Sequence, residues 1–203
     1  MKKPIIFVDY YQTLTADSYW RTLDDPVQNE VESYLYNDKL SMFVAWMRGE
    51  YTDKEIHQKL ADTLGYDFDM LWEAFVAGAR TVSIDPDVET FLQDYNSDIP
   101  LILATDNFNC FDEFVVPNSP ALSHFDDIYN SYNLKKTKLE NGESFFNDLA
   151  DKVGGDLSSS YLLEDNPNIC KAFERVGKKA VQITDPQETG GELRNVFKIY
   201  LKK

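Results

Sequence analysis

The sequence predicts an α/β fold with a doubly wound, mostly parallel sheet and an inserted all-helical cap. Short apolar runs bounded by turn residues recur along the chain, as expected for buried strands. Amphipathic helical patterns fill most of the intervals between them, and this alternation favours parallel strands covered by helices on both faces. One long interval, residues 16–84, carries helical patterns but no convincing strand.

The composition sets the broad class of the protein. The 203 residues suit one domain, or a core domain with a modest insertion. Apolar residues make up 43% of the chain, which is enough for a sizeable core and argues against intrinsic disorder. With 35 acidic and 20 basic residues the formal net charge is −15, so nucleic acid and anionic membranes are poor candidate partners.

Two cysteines and two histidines are too few for a disulfide framework or a Cys/His zinc cluster to organise the fold. The segment before the first apolar run is too short for a signal peptide or a membrane-spanning helix. We therefore expect a soluble, cytoplasmic protein that is a monomer or a homodimer and binds neither membranes nor nucleic acid.

Five apolar runs are predicted as strands of a Rossmann-like sheet, and polar residues stand at the carboxyl ends of nearly all of them. In chain order they span residues 4–8, 100–104, 127–129 (the weakest), 161–163 and 180–183. Ligands of open parallel sheets bind at the carboxyl ends of the strands. The polar strand ends are therefore the predicted site.

Helices are predicted between these strands. Asp85-Pro86 combines an N-cap residue with proline at the first helical position. Apolar stripes at helical spacing begin at Phe145 and, after Pro167, at Ile169. Together these helices would cover the two faces of the sheet.

The predicted cap comprises residues 16–84, and the core comprises residues 1–15 and 85–203. Thr52-x-x-Glu55 is a capping box that begins one helix of the cap. Residues 68–79 carry a wide apolar stripe, which by itself indicates only helix packing. The insertion point matters more for function, because it directly follows the first acidic strand end.

The residues at the strand ends are candidates for catalysis. Asp9 follows the first strand, where a rigidly held carboxylate faces the crevice and can act as a nucleophile. The second strand ends at Thr105, and the fourth ends in the adjacent acids Glu164 and Asp165. A lysine-containing segment, residues 135–138, lies between the second and fourth strand ends.

This order of Asp, Thr, Lys and Glu-Asp, with a helical insertion after the first motif, resembles the haloacid dehalogenase (HAD) superfamily over almost the whole chain. The resemblance implies that Asp9 attacks phosphorus and forms an aspartyl-phosphate. It also implies that Thr105 hydrogen-bonds a phosphoryl oxygen and that a lysine neutralises charge. Lys138, seven residues after Ser131, is favoured by spacing. Two further lysines stay open for this role, Lys135 and Lys136.

The resemblance further implies a Mg²⁺ site. Asp165, with Glu164, would hold the ion together with Asp9 and the backbone carbonyl of Tyr11. Mg²⁺ prefers oxygen ligands, and a cation would offset the repulsion between the carboxylates. The implied substrate is a small phosphorylated metabolite, with Thr13, Asp106 and Asn107 as its candidate contacts. Three arginines of the predicted cap are weaker candidates for a substrate anion: Arg21, Arg48 and Arg80.

Tyr11 departs from the family's pattern. The family's phosphatases usually carry a second Asp at this position, which protonates the leaving alcohol and then activates water. A phenol titrates near ~10 and is a poor general base at neutral pH. General acid–base catalysis typically contributes ~10²–10⁴-fold, so the substitution matters for activity.

Three hypotheses follow. The first is a Mg²⁺-dependent phosphatase or phosphotransferase in which Tyr11, water or an acidic leaving group handles the proton. The second is a 2-haloacid dehalogenase, a branch that also has Asp-x-Tyr but needs no metal and lacks the adjacent acid pair. The third is a catalytically weak binding or regulatory protein that keeps the fold. The acid pair Glu164-Asp165 favours the first hypothesis.

Overall fold

A five-stranded sheet with all strands parallel forms the centre of the protein in a computed structural model that describes residues 2–140 and 144–201. The strand order is β3-β2-β1-β4-β5. The predicted α/β fold class is confirmed. Residues 1, 202 and 203 of the predicted core lie outside the described residues. The strands are β1 (Ile6–Val8), β2 (Leu101–Thr105), β3 (Asp127–Asn130), β4 (Tyr161–Glu164) and β5 (Lys179–Gln182).

Helices lie between the strands of the described chain. Thr52 and Glu55 form the predicted capping box, in which the Glu55 carboxylate accepts the backbone N–H of Thr52 at 2.7 Å. Asp85 accepts the N–H of Asp87 at 2.8 Å and begins the predicted helix after β1 and the insertion. The helices are α1 (Asp25–Ser33), α2 (Leu40–Met47), α3 (Asp53–Leu64), α4 (Phe68–Arg80), α5 (Pro86–Asp94), α6 (Ser131–Leu134), α7 (Ser144–Val153), α8 (Pro167–Phe173) and α9 (Thr189–Leu201).

The sheet is apolar on both faces because successive side chains of a strand point in opposite directions. Ile6 and Val8 of β1 join one buried cluster, and Phe7 joins the other. The Phe7 cluster contains side chains of α7 and α8, whereas the Ile6 cluster contains side chains of α5, α9 and the helical insertion. No described helix is long and apolar enough to cross a membrane.

The helical insertion, residues 16–84, contains α1–α4 and shares a hydrophobic cluster with the sheet. Trp46 of α2 stacks on Phe108, which follows β2, with ring centroids 3.6 Å apart and an interplanar angle of 12°. Phe43 meets the same Phe108 ring edge-on at 5.2 Å. The division into a core and a cap stays a prediction, and these contacts show that the two parts pack as one apolar body.

Gly78 of α4 permits the closest approach within the insertion. A methyl group added there would lie 1.8 Å from the carbonyl oxygen of Tyr19. Because this oxygen belongs to the backbone, it cannot rotate away as the end of a side chain could. The helix therefore needs glycine at this position.

We expect Gly78→Ala to lower the free energy of unfolding by about 1–3 kcal/mol, because overpacking shifts the backbone. Gly191→Ala is the matched control in α9, since a methyl group there meets nothing within 4 Å. Urea unfolding of both variants checks this. An unchanged midpoint for Gly78→Ala would contradict the close packing of α4 on the segment around Tyr19.

Candidate active site

The predicted residues come together at the carboxyl ends of three neighbouring strands. Asp9 directly follows β1, which pairs with β2 on one side and with β4 on the other. Thr105 is the last residue of β2, and Glu164 is the last residue of β4. Parallel pairing thus places residues that are about 60 to 155 positions apart in the chain at one edge of the sheet.

Lys138 is the lysine that reaches this edge. Its Nζ donates to Asp9 Oδ1 at 2.5 Å and to Glu164 Oε2 at 2.7 Å, and its side chain is 1% exposed. Lys135 instead points to the carbonyl of Gly49 at 3.4 Å, and Lys136 pairs with an aspartate of α7. The structure thus brings one of the three candidate lysines to Asp9.

Asp106 and Asn107 hold the loops around the site. The Asp106 carboxylate accepts the backbone N–H of Lys138 at 3.0 Å, which fixes the loop that carries the ammonium group. The Asn107 amide oxygen accepts the Tyr19 hydroxyl at 3.1 Å, and its backbone N–H donates to Ser131 Oγ at 3.0 Å. Asn107 therefore connects the core loop to the helical insertion.

A cavity of about 260 Å³ opens above these residues. Its floor is charged, and the part formed by the insertion is largely aromatic. Asp9, Tyr11, Asp106, Asn107, Lys138, Glu164 and Asp165 are the sequence-predicted residues that line it. The others are Asp17, Ser18, Tyr19, Trp20, Tyr36, Phe43, Met47, Phe108, Asn166 and Ile169.

Thr13 and Thr105 do not line the cavity. Both hydroxyls are buried and have no hydrogen-bond partner in the described structure. The Thr13 carbonyl accepts the Thr189 hydroxyl at 2.6 Å, so this residue ties the first motif to α9. An unpaired buried hydroxyl costs ~1–3 kcal/mol, and Thr105, the last residue of β2, carries one.

The three arginines of the insertion are engaged elsewhere and do not line the cavity. Arg21 donates to the carbonyl oxygens of Ser18 and Gly78, each at 2.8 Å. Arg48 pairs with Glu50 at 2.7 Å, and the Arg80 guanidinium lies 5.2 Å from the Phe114 ring centroid. The structure therefore does not bring these side chains to a substrate.

Tyr11 lines the cavity beside Asp9 on a tight turn. The backbone N–H of Gln12, which has φ of 58°, donates to the Thr15 carbonyl at 2.7 Å. Burial raises the pKa of the Tyr11 phenol above its usual value. The side chain therefore keeps its proton at neutral pH and cannot act as a general base there.

The floor of the cavity carries an excess of negative charge. Burial raises the pKa of the Asp9 and Glu164 carboxyls against the opposing effect of Lys138, and it raises the pKa of Asp106 to about 6. Burial alone would lower the pKa of Lys138, but the three carboxylates outweigh it and raise that pKa. One ammonium group thus faces several carboxylates.

These residues fit a hard divalent cation. Carboxylate oxygens of Asp9, Glu164 and Asp165 lie within 4.8 Å of one another. Oxygen-only donor sets suit Mg²⁺, which binds through one or two carboxylates, several waters and substrate phosphates. A cation would also offset the charge that Lys138 leaves uncompensated.

The aromatic lining of the cavity escaped prediction from the sequence. Tyr19 and Trp20 lie within a dozen residues of Asp9, and Phe108 directly follows Asn107. This closeness in sequence to the predicted site residues is the signal that could have identified them as cavity-lining residues. Which of the insertion's many aromatic residues face the cavity depends on how its helices pack against the core, and that is not encoded in local spacing.

Lys138→Met should lower the free energy of unfolding by about 3–5 kcal/mol at pH 8, because it leaves buried carboxylates without their partner. In the variant the folded state raises the pKa values of Asp9 and Glu164 further. It then binds more protons than the unfolded chain, so the loss shrinks as the pH falls to 5. Denaturant unfolding at the two pH values measures this. Lys136→Met, which removes a partly exposed pair, should cost at most ~1 kcal/mol, and an equal loss in both variants would contradict the account.

No family model matches the sequence, and no curated protein matches it. Solved structures do match. A predicted HAD-like family hydrolase from Porphyromonas gingivalis superposes with a TM-score of 0.74 at 16% identity, over 97% of this chain and 98% of that one.

Two further structures bear on the chemistry. A HAD family enzyme from Bacteroides thetaiotaomicron, solved in complex with magnesium and inorganic phosphate, has a TM-score of 0.70 at 14% identity and covers 89% of this chain and 93% of its own. A 2-haloacid dehalogenase from Pseudomonas syringae pv. Tomato has a TM-score of 0.62 at 13% identity and covers 98% and 99%. The chain therefore has the fold of the HAD-like hydrolases, as the order of its motifs predicts.

Proposed function

We propose that this protein is a Mg²⁺-dependent hydrolase of small phosphomonoesters that works through an aspartyl-phosphate on Asp9. One observation carries the proposal. The Asp9 carboxylate lies at the floor of a cavity, bound to a buried ammonium group and within 4.8 Å of the acid pair on β4. The fold shared with an enzyme solved with magnesium and inorganic phosphate supports it.

Asp9, Glu164 and Asp165 would hold the cation, with the backbone carbonyl of Tyr11 as the further ligand that the family resemblance implies. When bound, Mg²⁺ supplies positive charge that offsets the charge of the phosphoryl group. The donor set of three carboxylates at one strand edge is the observation of this chain that fits the ion.

In the first step an Asp9 carboxylate oxygen attacks phosphorus, and the bond from phosphorus to the ester oxygen breaks. The leaving oxygen takes the electron pair and then a proton. Lys138 holds Asp9 in place through its 2.5 Å contact and offsets charge. The Thr105 hydroxyl, buried without a partner outside the cavity lining, would donate to a phosphoryl oxygen once the end of β2 opens to the ligand. Phosphoryl transfer depends mostly on such positioning and charge stabilisation.

In the second step water attacks the phosphorus of the aspartyl-phosphate, releasing inorganic phosphate and restoring Asp9. The family's usual base for this water would stand where this chain has Tyr11. Its protonated phenol can donate a hydrogen bond to the leaving oxygen but cannot remove a proton from water. The second step should therefore limit turnover.

A 2-haloacid dehalogenase is the second candidate, and two observations favour it: the Asp-x-Tyr motif and the likeness to a solved 2-haloacid dehalogenase. Its substrate is itself a carboxylate. Lys138 is the one basic side chain among the described residues that line the cavity, and it already contacts Asp9 and Glu164. Without a metal the cavity offers no further positive charge to a carboxylate, whereas the acids that could hold Mg²⁺ would also supply the charge that a phosphate ester needs. This acid cluster places the phosphatase hypothesis first.

Phosphate release from a panel of small phosphate esters, with and without Mg²⁺, tests the proposed function. We expect release that depends on Mg²⁺ and falls to background in Asp9→Asn, because the amide is not a nucleophile here. Asp148→Asn is the control, since it makes the same change at an exposed residue of α7.

Three other outcomes would overturn the proposal. Release that survives in Asp9→Asn would exclude the aspartyl mechanism. Chloride release from 2-chloropropionate without metal would establish dehalogenation. Mg²⁺ binding with no turnover of either substrate class would establish a binding or regulatory role.

Tyr11→Asp should raise the steady-state rate of phosphate release by roughly 10²-fold, because it restores a carboxylate that can activate water. Wild-type protein should show a burst of released alcohol followed by slow turnover, measured by rapid quench. Tyr11→Phe should keep that burst and the slow phase. If Tyr11→Asp is no faster than the wild type, or the wild type shows no burst, water activation is not the missing function.

A further inference from the structure

Five aromatic side chains form one continuous surface of the cavity, which we call the aromatic wall: Tyr19, Trp20, Tyr36, Phe43 and Phe108. Tyr36 meets Phe43 edge-on at 4.9 Å, and Phe43 meets Phe108 edge-on at 5.2 Å. Tyr19 lies 6.4 Å from Phe108. The wall combines rings from the insertion with one from the core loop after β2.

Two polar groups of the wall already have partners inside the protein. The Trp20 indole N–H donates to His57 Nε2 at 3.2 Å, and the Tyr19 hydroxyl donates to Asn107 at 3.1 Å. Substrate hydroxyls placed against these two residues would lose their hydrogen bonds to water and would gain none from Tyr19 or Trp20, whose donors are already occupied. Burying an unpaired polar group is unfavourable, so the wall disfavours a sugar.

Charge excludes a second anionic group on the substrate. Asp17 lines the cavity beside the wall, and the floor adds four more carboxylates against Lys138. No other basic side chain of the described residues lines the cavity. A group that leaves with the ester oxygen is therefore expected to carry no negative charge.

Size limits that group to about one ring. The volume of about 260 Å³ lies below the usual range of small-molecule pockets, roughly 300–1,000 Å³, and the phosphoryl group takes part of it. Phe108 is held between the cavity and the Trp46 ring stacked on it at 3.6 Å, so the wall cannot retreat easily on this side.

We propose that the substrate is a phosphomonoester whose alcohol carries a single aromatic ring and no second anionic group, and that this ring packs against the aromatic wall. This inference rests on the proposed phosphatase function and names its substrate class. Aromatic rings prefer edge-to-face and offset-stacked contacts. The edge-on series of Tyr36, Phe43 and Phe108 offers a substrate ring both kinds of contact.

Benzyl phosphate and cyclohexylmethyl phosphate form the decisive pair, because both release a primary alcohol and differ in the ring. We expect kcat/KM to be about 2- to 10-fold higher for benzyl phosphate. We expect it to be roughly tenfold or more above that for glycerol phosphate. Equal constants for the two ring esters, or faster turnover of glycerol phosphate, would overturn the inference.

Phe43→Leu tests the wall directly, since it keeps an apolar side chain and removes the ring. The preference for benzyl over cyclohexylmethyl phosphate should fall toward one. Tyr36→Leu, at an exposed residue, is the second variant in case Phe43→Leu does not fold. Phe197→Leu is the control, because it removes a half-buried ring that packs on Tyr95 away from the cavity. A preference unchanged in both wall variants would contradict the role of the wall.

Binding separates failure of this inference from failure of the proposed function. Benzylphosphonate and cyclohexylmethylphosphonate cannot be hydrolysed, and calorimetry with Mg²⁺ gives their dissociation constants. Tighter binding of benzylphosphonate without turnover of any ester would overturn the phosphatase proposal and support the aromatic site. Turnover of esters with equal binding of both phosphonates would overturn the aromatic site and leave the phosphatase proposal standing.

Discussion

A buried ammonium group holds together the carboxyl ends of three neighbouring strands. Lys138 contacts Asp9 after β1 and Glu164 at the end of β4, and its backbone N–H donates to Asp106 after β2. Charges buried at this depth are tolerated when they are paired and hydrogen-bonded. The lysine loop, the three strand ends and the floor of the cavity are therefore fixed by one set of contacts.

The second constraint is apolar. Helices of the insertion do not form a separate core, because their buried side chains join the cluster that covers one face of the sheet. The stacked pair of Trp46 and Phe108 lies at this junction, next to the loop that carries Asn107. The same packing that joins the insertion to the sheet thus shapes the cavity above Asp9, so stability and the proposed recognition of substrate draw on the same aromatic residues.

Much of the fold was predictable, because short continuous apolar runs and helix-start signals are local features of the sequence. The predicted strand ends also identified Asp9, Thr105 and the acid pair as candidates, since polar residues directly after apolar runs are visible in the sequence. Spacing from Ser131 favoured Lys138 but left Lys135 and Lys136 open, because the three side chains differ in direction only after the loop folds. Thr13 was expected near the substrate, but its hydroxyl is buried away from the cavity lining. The aromatic wall depends on contacts between residues far apart in the chain, which no local pattern contains.

The central claim is that Asp9 carries the phosphoryl group, and mass spectrometry of the acid-quenched protein tests it most directly. Protein quenched during turnover of small phosphate esters with Mg²⁺ should carry one phosphoryl group on the peptide that contains Asp9. The group should be absent without Mg²⁺ and in Asp9→Asn. Turnover with an unmodified Asp9, or a phosphoryl group on another residue, would contradict the account.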